Sequence, residues 1–260
     1  MVLDKIVDHK RTEVAEAKAR VPQADLEERI TQVGPPRDFR AALKTEGISL
    51  IAEIKRASPS KGDMLPGVEA VELASLYEQQ GARALSILTD TKFFKGKIED
   101  LTAARTHVSI PCLRKEFIID EYQIYEARAA QADAILLIVR ILDDAQIKAF
   151  HQLARSLGMG VLVETHDEHE IARAIECGAH IIGINNRDLD TLTMDVMTTM
   201  RLKRLVPGGH TLVSESGIYT RDHVRMLEEG GVDAMLVGES LLTSKNIAEK
   251  IQELLGRGED

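Results

Sequence analysis

Apolar positions along the first twenty residues fall at helical spacing. Leu3, Ile6, Val7, Lys10, Val14 and Ala17 recur every three or four residues with charges between them, which predicts an amphipathic helix. A second short helical piece over 24–30 follows Pro22, and Gly34-Pro35-Pro36 forces a break before another over 39–43. Residues 1–48 are therefore expected to form a helical extension packed on the main body, 49–260.

Beyond residue 48 the pattern changes. Short β-rich apolar runs at 50–54, 84–88, 111–114, 134–138, 160–163, 181–184, 211–214 and 234–237 alternate with amphipathic helical stretches. That alternation is the sequence form of repeated βα units around a parallel sheet. Gly81-Ala82-Arg83, Gln131-Ala132-Asp133, Gly178-Ala179-His180 and Gly231-Val232-Asp233 each end a helix and launch a strand, glycine supplying the left-handed cap. Eight units over about 210 residues predict an α/β fold, a (β/α)8 TIM barrel with an N-terminal helical extension. A doubly wound open sheet is the alternative, but it would normally place a glycine-rich turn after its first strand, where this chain has Lys55-Arg56-Ala57-Ser58-Pro59.

Alternation along the strands places the chemistry. Leu50, Ala52 and Ile54 share one apolar face of the first strand, leaving Ile51, Glu53 and Lys55 on the other. Leu113 and Lys115 repeat this in the third strand, Leu162 and Glu164 in the fifth, Val213 and Glu215 in the seventh. Interior layers of such a barrel come from alternate strands, so these five charges are expected to converge at the carboxyl end. A solvated strand end accounts for any one of them; recurrence on four odd strands points to a site, because buried charges need partners. The sixth strand adds Asn185, Asn186 and Arg187, an amide pair and a guanidinium able to orient a hydroxyl and clamp an anion, although an ordinary capped turn would use the same residues. Ser214-Glu215-Ser216-Gly217 and Val237-Gly238-Glu239-Ser240 follow the seventh and eighth strands. Loops there recurrently hold phosphate in this fold, which makes Gly217 and Gly238, with Ser216 and the Glu239 amide, candidates for a phosphate cradle. Tight βα turns would use the same glycines.

Composition narrows the partners. A formal net charge of -9 argues against a general nucleic-acid binder. Residues 1–10 interrupt their apolar positions with Asp4, Lys5, Asp8 and Lys10, unlike a secretory signal, and the strongly apolar run 134–139 is too short to span a bilayer. A cytoplasmic protein with no membrane partner is expected. Two cysteines, Cys112 and Cys177, offer neither a disulfide framework nor a metal signature. His166 and His169 lack the spacing of paired metal ligands and are read as a solvated helix start; no metal site is expected.

At this point the residues resemble a family. Ile51-Ala52-Glu53-Ile54-Lys55-Arg56-Ala57-Ser58-Pro59-Ser60-Lys61-Gly62 is similar to the signature segment of indole-3-glycerol-phosphate synthases. Ser86-Ile87-Leu88-Thr89, Leu113-Arg114-Lys115, Phe117-Ile118-Ile119-Asp120, Leu136-Leu137-Ile138, Ile184-Asn185-Asn186-Arg187-Asp188-Leu189 and Ser214-Glu215-Ser216-Gly217-Ile218 follow in family order, and the N-terminal extension belongs to the same pattern. Glu116, where aspartate is expected, and Lys95-Gly96-Lys97, in place of a smaller turn, depart from it.

The resemblance implies ring closure of 1-(2-carboxyphenylamino)-1-deoxyribulose 5-phosphate, with loss of carbon dioxide and water, to indole-3-glycerol phosphate in tryptophan biosynthesis. No cofactor is implied, the partner is the small sugar-phosphate substrate, and a monomer is expected. By the family pattern Lys115 is the general acid, Glu164 the acid/base for dehydration, and Lys55 the catalytic lysine that binds the substrate carboxylate and shares in proton transfer. Glu53, Asn185 and Glu215 position substrate and lysines. Arg187, Ser216, Gly217 and Gly238, with Glu239 beside them, hold the phosphate, Ser58 joins the substrate-binding set, and Leu88, Phe93, Phe94 and Phe117 wall the aromatic ring. Whether burial and cations lower the lysine pKa values or carboxylates raise them is open in the sequence. Phosphoribosylanthranilate isomerase wants a cysteine where Glu53 stands, the α subunit of tryptophan synthase lacks this lysine set, and a non-catalytic sugar-phosphate binder would have lost Lys115 and Glu164.

Overall fold

The computed structural model describes residues 2–58, 62–64, 68–188 and 193–257. Pro59, Ser60 and Lys61 of the signature segment, and Leu189, lie outside them. Eight parallel strands close into a barrel: Ser49–Ile54, Ala84–Leu88, Cys112–Lys115, Ala134–Ile138, Gly160–Thr165, Ile181–Asn185, Thr211–Glu215 and Ala234–Val237, each paired with the next and the eighth with the first. The open-sheet alternative is thereby excluded. The second, fourth and eighth strands have the bounds the apolar runs predict. The third, fifth, sixth and seventh extend further at their carboxyl ends, because Lys115, Glu164, Asn185 and Glu215 still pair with Leu88, Ile138, Glu215 and Leu236 across the ladder.

Alternation separates two apolar layers. Leu50, Ala52, Ile54, Leu137, Val163, Ile184 and Val237 face outward into the helices. Ile51, Leu113, Leu162 and Val213 fill the interior with Ala84, Ala134, Leu136 and Leu236. Gly183 occupies an interior position where a Cβ would collide with Glu215 Oε1, so only glycine leaves room for that carboxylate.

The extension spans the barrel from end to end. Phe39 and Leu43, in a short helix over Phe39–Leu43, plug the amino end, Phe39 Cβ lying 3.0 Å from the Cβ position of Gly160. Helices α1 (Val2–Arg20) and α2 (Gln23–Gln32) dock through Val14 and Leu26 on Tyr122, in the helix Glu121–Ala129. At the carboxyl end Lys10 of α1 is 2% exposed, its Nζ 2.8 Å from Glu13, 2.9 Å from Asp90 and 3.0 Å from Glu116. Asp90 also caps the turn Thr91–Phe94 by accepting from Phe93 N, and Glu116 accepts from Phe117 N and Thr89 Oγ1. The buried ammonium thus ties the extension to the loops after the second and third strands.

Candidate active site

A cavity of about 270 Å³ opens at the carboxyl end of the barrel. Glu53, Lys55, Lys115, Glu164, Asn185 and Glu215 line it, together with Ser58, Arg187, Ser216, Gly217, Gly238, Glu239, Leu88, Phe94 and Phe117. The structure thus brings fifteen sequence candidates to one space. Asn186 and Phe93 are the exceptions: Asn186 is engaged by Ser214, Ser216 and Thr199, and Phe93 packs edge-on against His9 of α1, with ring centroids 5.9 Å apart. Phe93 braces the extension rather than walling the cavity.

Lys115 Nζ lies 2.9 Å from Glu164 Oε2 and 3.5 Å from Glu215 Oε2, and Lys55 Nζ lies 2.9 Å from Glu53 Oε1. Burial works against the Lys115 charge, but Glu164, Glu215 and Glu53 outweigh it and raise the lysine above its ordinary range. Carboxylates win, and the ammonium is charged. Burial likewise pushes Glu164 up, yet Lys115, His166 and a hydrogen bond from Asn185 hold it down to about 2. Glu215 goes the other way: burial, against the pull of Lys115 and with the push of Glu164 and Glu53, raises it to about 8. The Lys115 ammonium then faces an ionised Glu164 and a protonated Glu215.

At the opposite rim Ser216 and Gly217 are both left-handed, at φ 66° and 74°. The conformation costs a serine of order 1–3 kcal/mol. It is held by Asn186, whose Nδ2 donates to Ser216 O at 2.9 Å and to Ser214 Oγ at 3.0 Å while its Oδ1 accepts from Thr199 N and Oγ1. A Cβ at Gly238 would come within 2.6 Å of Glu53 Oε1, so glycine lets the eighth-strand loop approach the first strand. The Glu239 carboxylate accepts from Tyr219 Oη at 2.8 Å and pairs with Arg187 at 3.3 Å. Ser240 Oγ is buried beside the cavity without a partner. Phe94 and Phe117 lie with centroids 5.9 Å apart, and Val2, Leu3 and Ile6 of α1 complete an apolar wall.

A family model described as Indole-3-glycerol phosphate synthase matches residues 3–254. The chain belongs to the indole-3-glycerol phosphate synthase family. It is 47% identical over 264 residues to the indole-3-glycerol phosphate synthase of Roseiflexus sp. (strain RS-1), with 98% of each chain covered. Identity to that of Legionella pneumophila (strain Paris) is 45% over 255 residues, again with 98% of each covered. Among solved structures, a 3-hexulose-6-phosphate synthase is similar with a TM-score of 0.65 at 16% identity, covering 81% of this chain and 99% of that one. Thiamine phosphate pyrophosphorylase from Pyrococcus furiosus gives 0.60 at 16%, covering 84% and 96%. These two likenesses establish the barrel alone.

As a member of the indole-3-glycerol phosphate synthase family, the chain departs from the expected pattern where the extension docks. Glu116, the departure from aspartate, is one of the carboxylates on Lys10. Lys95 ends the turn Thr91–Phe94 in a left-handed conformation and pairs with Asp63. The sequence reading also needs a correction at His166, taken with His169 as solvated. His169 is exposed, but the His166 side chain is 5% exposed, between Glu164 and Glu170. Strand alternation turns residue 164 inward, and residue 166 follows two positions later onto the same face. Among the described residues no His, Cys, Asp and Glu group could hold a metal ion, and no helix is long and apolar enough to cross a membrane.

Proposed function

We propose that this chain closes the pyrrole ring of 1-(2-carboxyphenylamino)-1-deoxyribulose 5-phosphate, releasing carbon dioxide and water to leave indole-3-glycerol phosphate. The observation that carries the assignment of roles is the Lys115–Glu164 pair, 2.9 Å apart and buried in the cavity that also holds the other candidates. Lys115 donates a proton to the ketone oxygen as the ring carbon bearing the carboxylate attacks the carbonyl carbon. Departure of carbon dioxide returns its bonding electrons to the ring. Glu164 then serves dehydration, in which the new hydroxyl leaves as water and the methylene carbon beside the nitrogen gives up a proton.

Lys55, held by Glu53, binds the substrate carboxylate, and Asn185 and Glu215 position substrate and lysine. Phosphate sits against Ser216, Gly217, Gly238, the Glu239 amide and Arg187, which exchanges its Glu239 partner for the anion. The unpartnered Ser240 hydroxyl supports that placement, and Ser58 contributes from the first loop. Leu88, Phe94 and Phe117 cover the aromatic ring. Every step is acid–base chemistry within this set, so the reading includes no cofactor.

The division into an extension, 1–48, and a catalytic barrel, 49–260, belongs to the same reading, as does a cytoplasmic monomer that binds neither nucleic acid nor membrane. Val2 and Met197 are the large apolar residues exposed among those described, which leaves little surface for stable self-association, and the net charge of -9 disfavours polyanions. Purified protein given the anthranilate-linked ribulose phosphate should develop indole fluorescence. Binding of that compound without fluorescence would overturn the reading.

A further inference from the structure

We propose that His166 supplies the second proton of the reaction, passing it from Nε2 to Oε1 of Glu164. The proposal rests on the reading above that Glu164 serves dehydration. His166 follows directly on the fifth strand, and its imidazole is pinned from behind. Nδ1 lies 3.0 Å from Glu170 Oε2, which also accepts the His166 backbone N–H at 2.8 Å. Arg140 Nε donates to the other Glu170 oxygen at 2.7 Å, and Asp167 caps the same helix turn by accepting from Glu170 N at 2.8 Å. With Nδ1–H engaged by Glu170, Nε2 is the ring atom that meets the active site. It lies 3.4 Å from Glu164 Oε1, buried, and makes no hydrogen bond. The second Glu164 oxygen is the one that takes Lys115. Buried polar atoms rarely go unpartnered, and this one is aimed at a carboxylate in the reaction centre.

The proton balance explains the arrangement. Substrate enters as a carboxylate and loses neutral carbon dioxide, so each turnover takes up one proton. The ketone oxygen receives one proton as it becomes a hydroxyl, a second leaves with that hydroxyl as water, and one returns from the methylene carbon. Lys115 provides the first. Glu164 cannot provide the second at rest, because the neighbouring ammonium keeps it ionised. Once Lys115 has become a neutral amine that restraint is gone, and burial favours the protonated carboxyl. A proton on His166 Nε2 then crosses to Glu164 Oε1 while Nδ1–H stays on Glu170, Glu164 passes that proton to the departing hydroxyl, and the methylene proton is taken by the Glu164 carboxylate and handed on to the neutral Lys115 amine. After product release His166 regains a proton from solvent. The charged groups in contact with the ring are Glu164 from the strand and Glu170 from the following helix, and Arg140 from the fourth-strand loop bears on it through its bond to Glu170.

The test separates carbon dioxide release from indole formation in one turnover. Substrate labelled at the carboxyl carbon is mixed with excess enzyme and quenched over time. His166→Gln keeps a hydrogen-bonding group toward Glu164 and His166→Asn one toward Glu170, while neither carries an exchangeable proton across the ring. In both, label should leave at the wild-type rate while indole formation lags about a hundred-fold, the low end of what a positioned acid contributes. Added imidazole should restore indole formation in His166→Ala. A structural role would slow both signals together without rescue, and that result, or variants indistinguishable from wild type, overturns the proposal. If Glu215→Gln alone produces the lag, the second proton comes from Glu215 and the proposal again falls. Wild-type enzyme that forms no indole would instead sink the functional reading itself.

Discussion

At the scale of single residues, the odd-strand charges behave as a unit whose members divide the work. Lys115→Met should lower kcat far more than it changes KM, because a general acid acts in the transition state; steady-state kinetics on the folded variant checks this, and an unchanged turnover number would remove Lys115 from its role. Glu215 gives a pH prediction with a definite sign. Its carboxyl is raised to about 8, above the unfolded value, so its contribution to stability is full below the ordinary glutamate range and is lost as pH rises through about 8. Urea unfolding of the wild type should therefore show stability falling from the ordinary glutamate range up to about pH 8 and levelling off beyond it, and Glu215→Gln should flatten that fall. Most of this cluster is legible in the sequence because two-residue alternation is rigid: once Leu50, Ala52 and Ile54 face the helices, Glu53 and Lys55 have one direction left. His166 was not legible. Its signal, a histidine two positions beyond an inward glutamate, competes with the commoner sight of histidines at a solvated helix start, and only its contact with Glu170 decides.

At the scale of elements, the helix-to-strand joints repeat one solution with one flaw. Gly81, Gly178 and Gly231 take left-handed conformations, and Gln131 takes the same one at φ 69° with a Cβ in the way. Gln131→Gly should raise stability by about 1 kcal/mol, the scale of the left-handed penalty for a side chain, as a shift to higher urea midpoint with unchanged activity. The joint was readable from position alone, since Gln131-Ala132-Asp133 stands where the other three have glycine. Helix α1 was readable as amphipathic, but not the use of Lys10, whose place on the apolar stripe gave no hint of Asp90 and Glu116, both distant in sequence. Lys10→Met leaves two buried carboxylates without their cation and should cost about 3–5 kcal/mol, read as a lowered unfolding midpoint. Glu116, held below its ordinary range by Lys10 and Arg114 despite burial, adds the pH signature. Its stabilisation is present above the ordinary carboxylate range and disappears as the solution becomes more acidic, and loss of that acid sensitivity in Lys10→Met identifies the pair.

At the scale of the whole molecule, the barrel follows from eight apolar runs, and the cavity from the layer rule that sends odd-strand charges inward. The path of the extension does not. Nothing in residues 1–48 says that Phe39 and Leu43 stopper one end while Val2, Leu3 and Ile6 reach the other, because those contacts depend on how far the chain travels between them. That path has a consequence for inactivation. The strands close on themselves and need no help from α1, whereas the substrate's chamber lacks a side without it. Gentle warming should first peel away α1, whose buried anchors are Ile6, Lys10 and Val14, silencing turnover while circular dichroism still reports an intact α/β body.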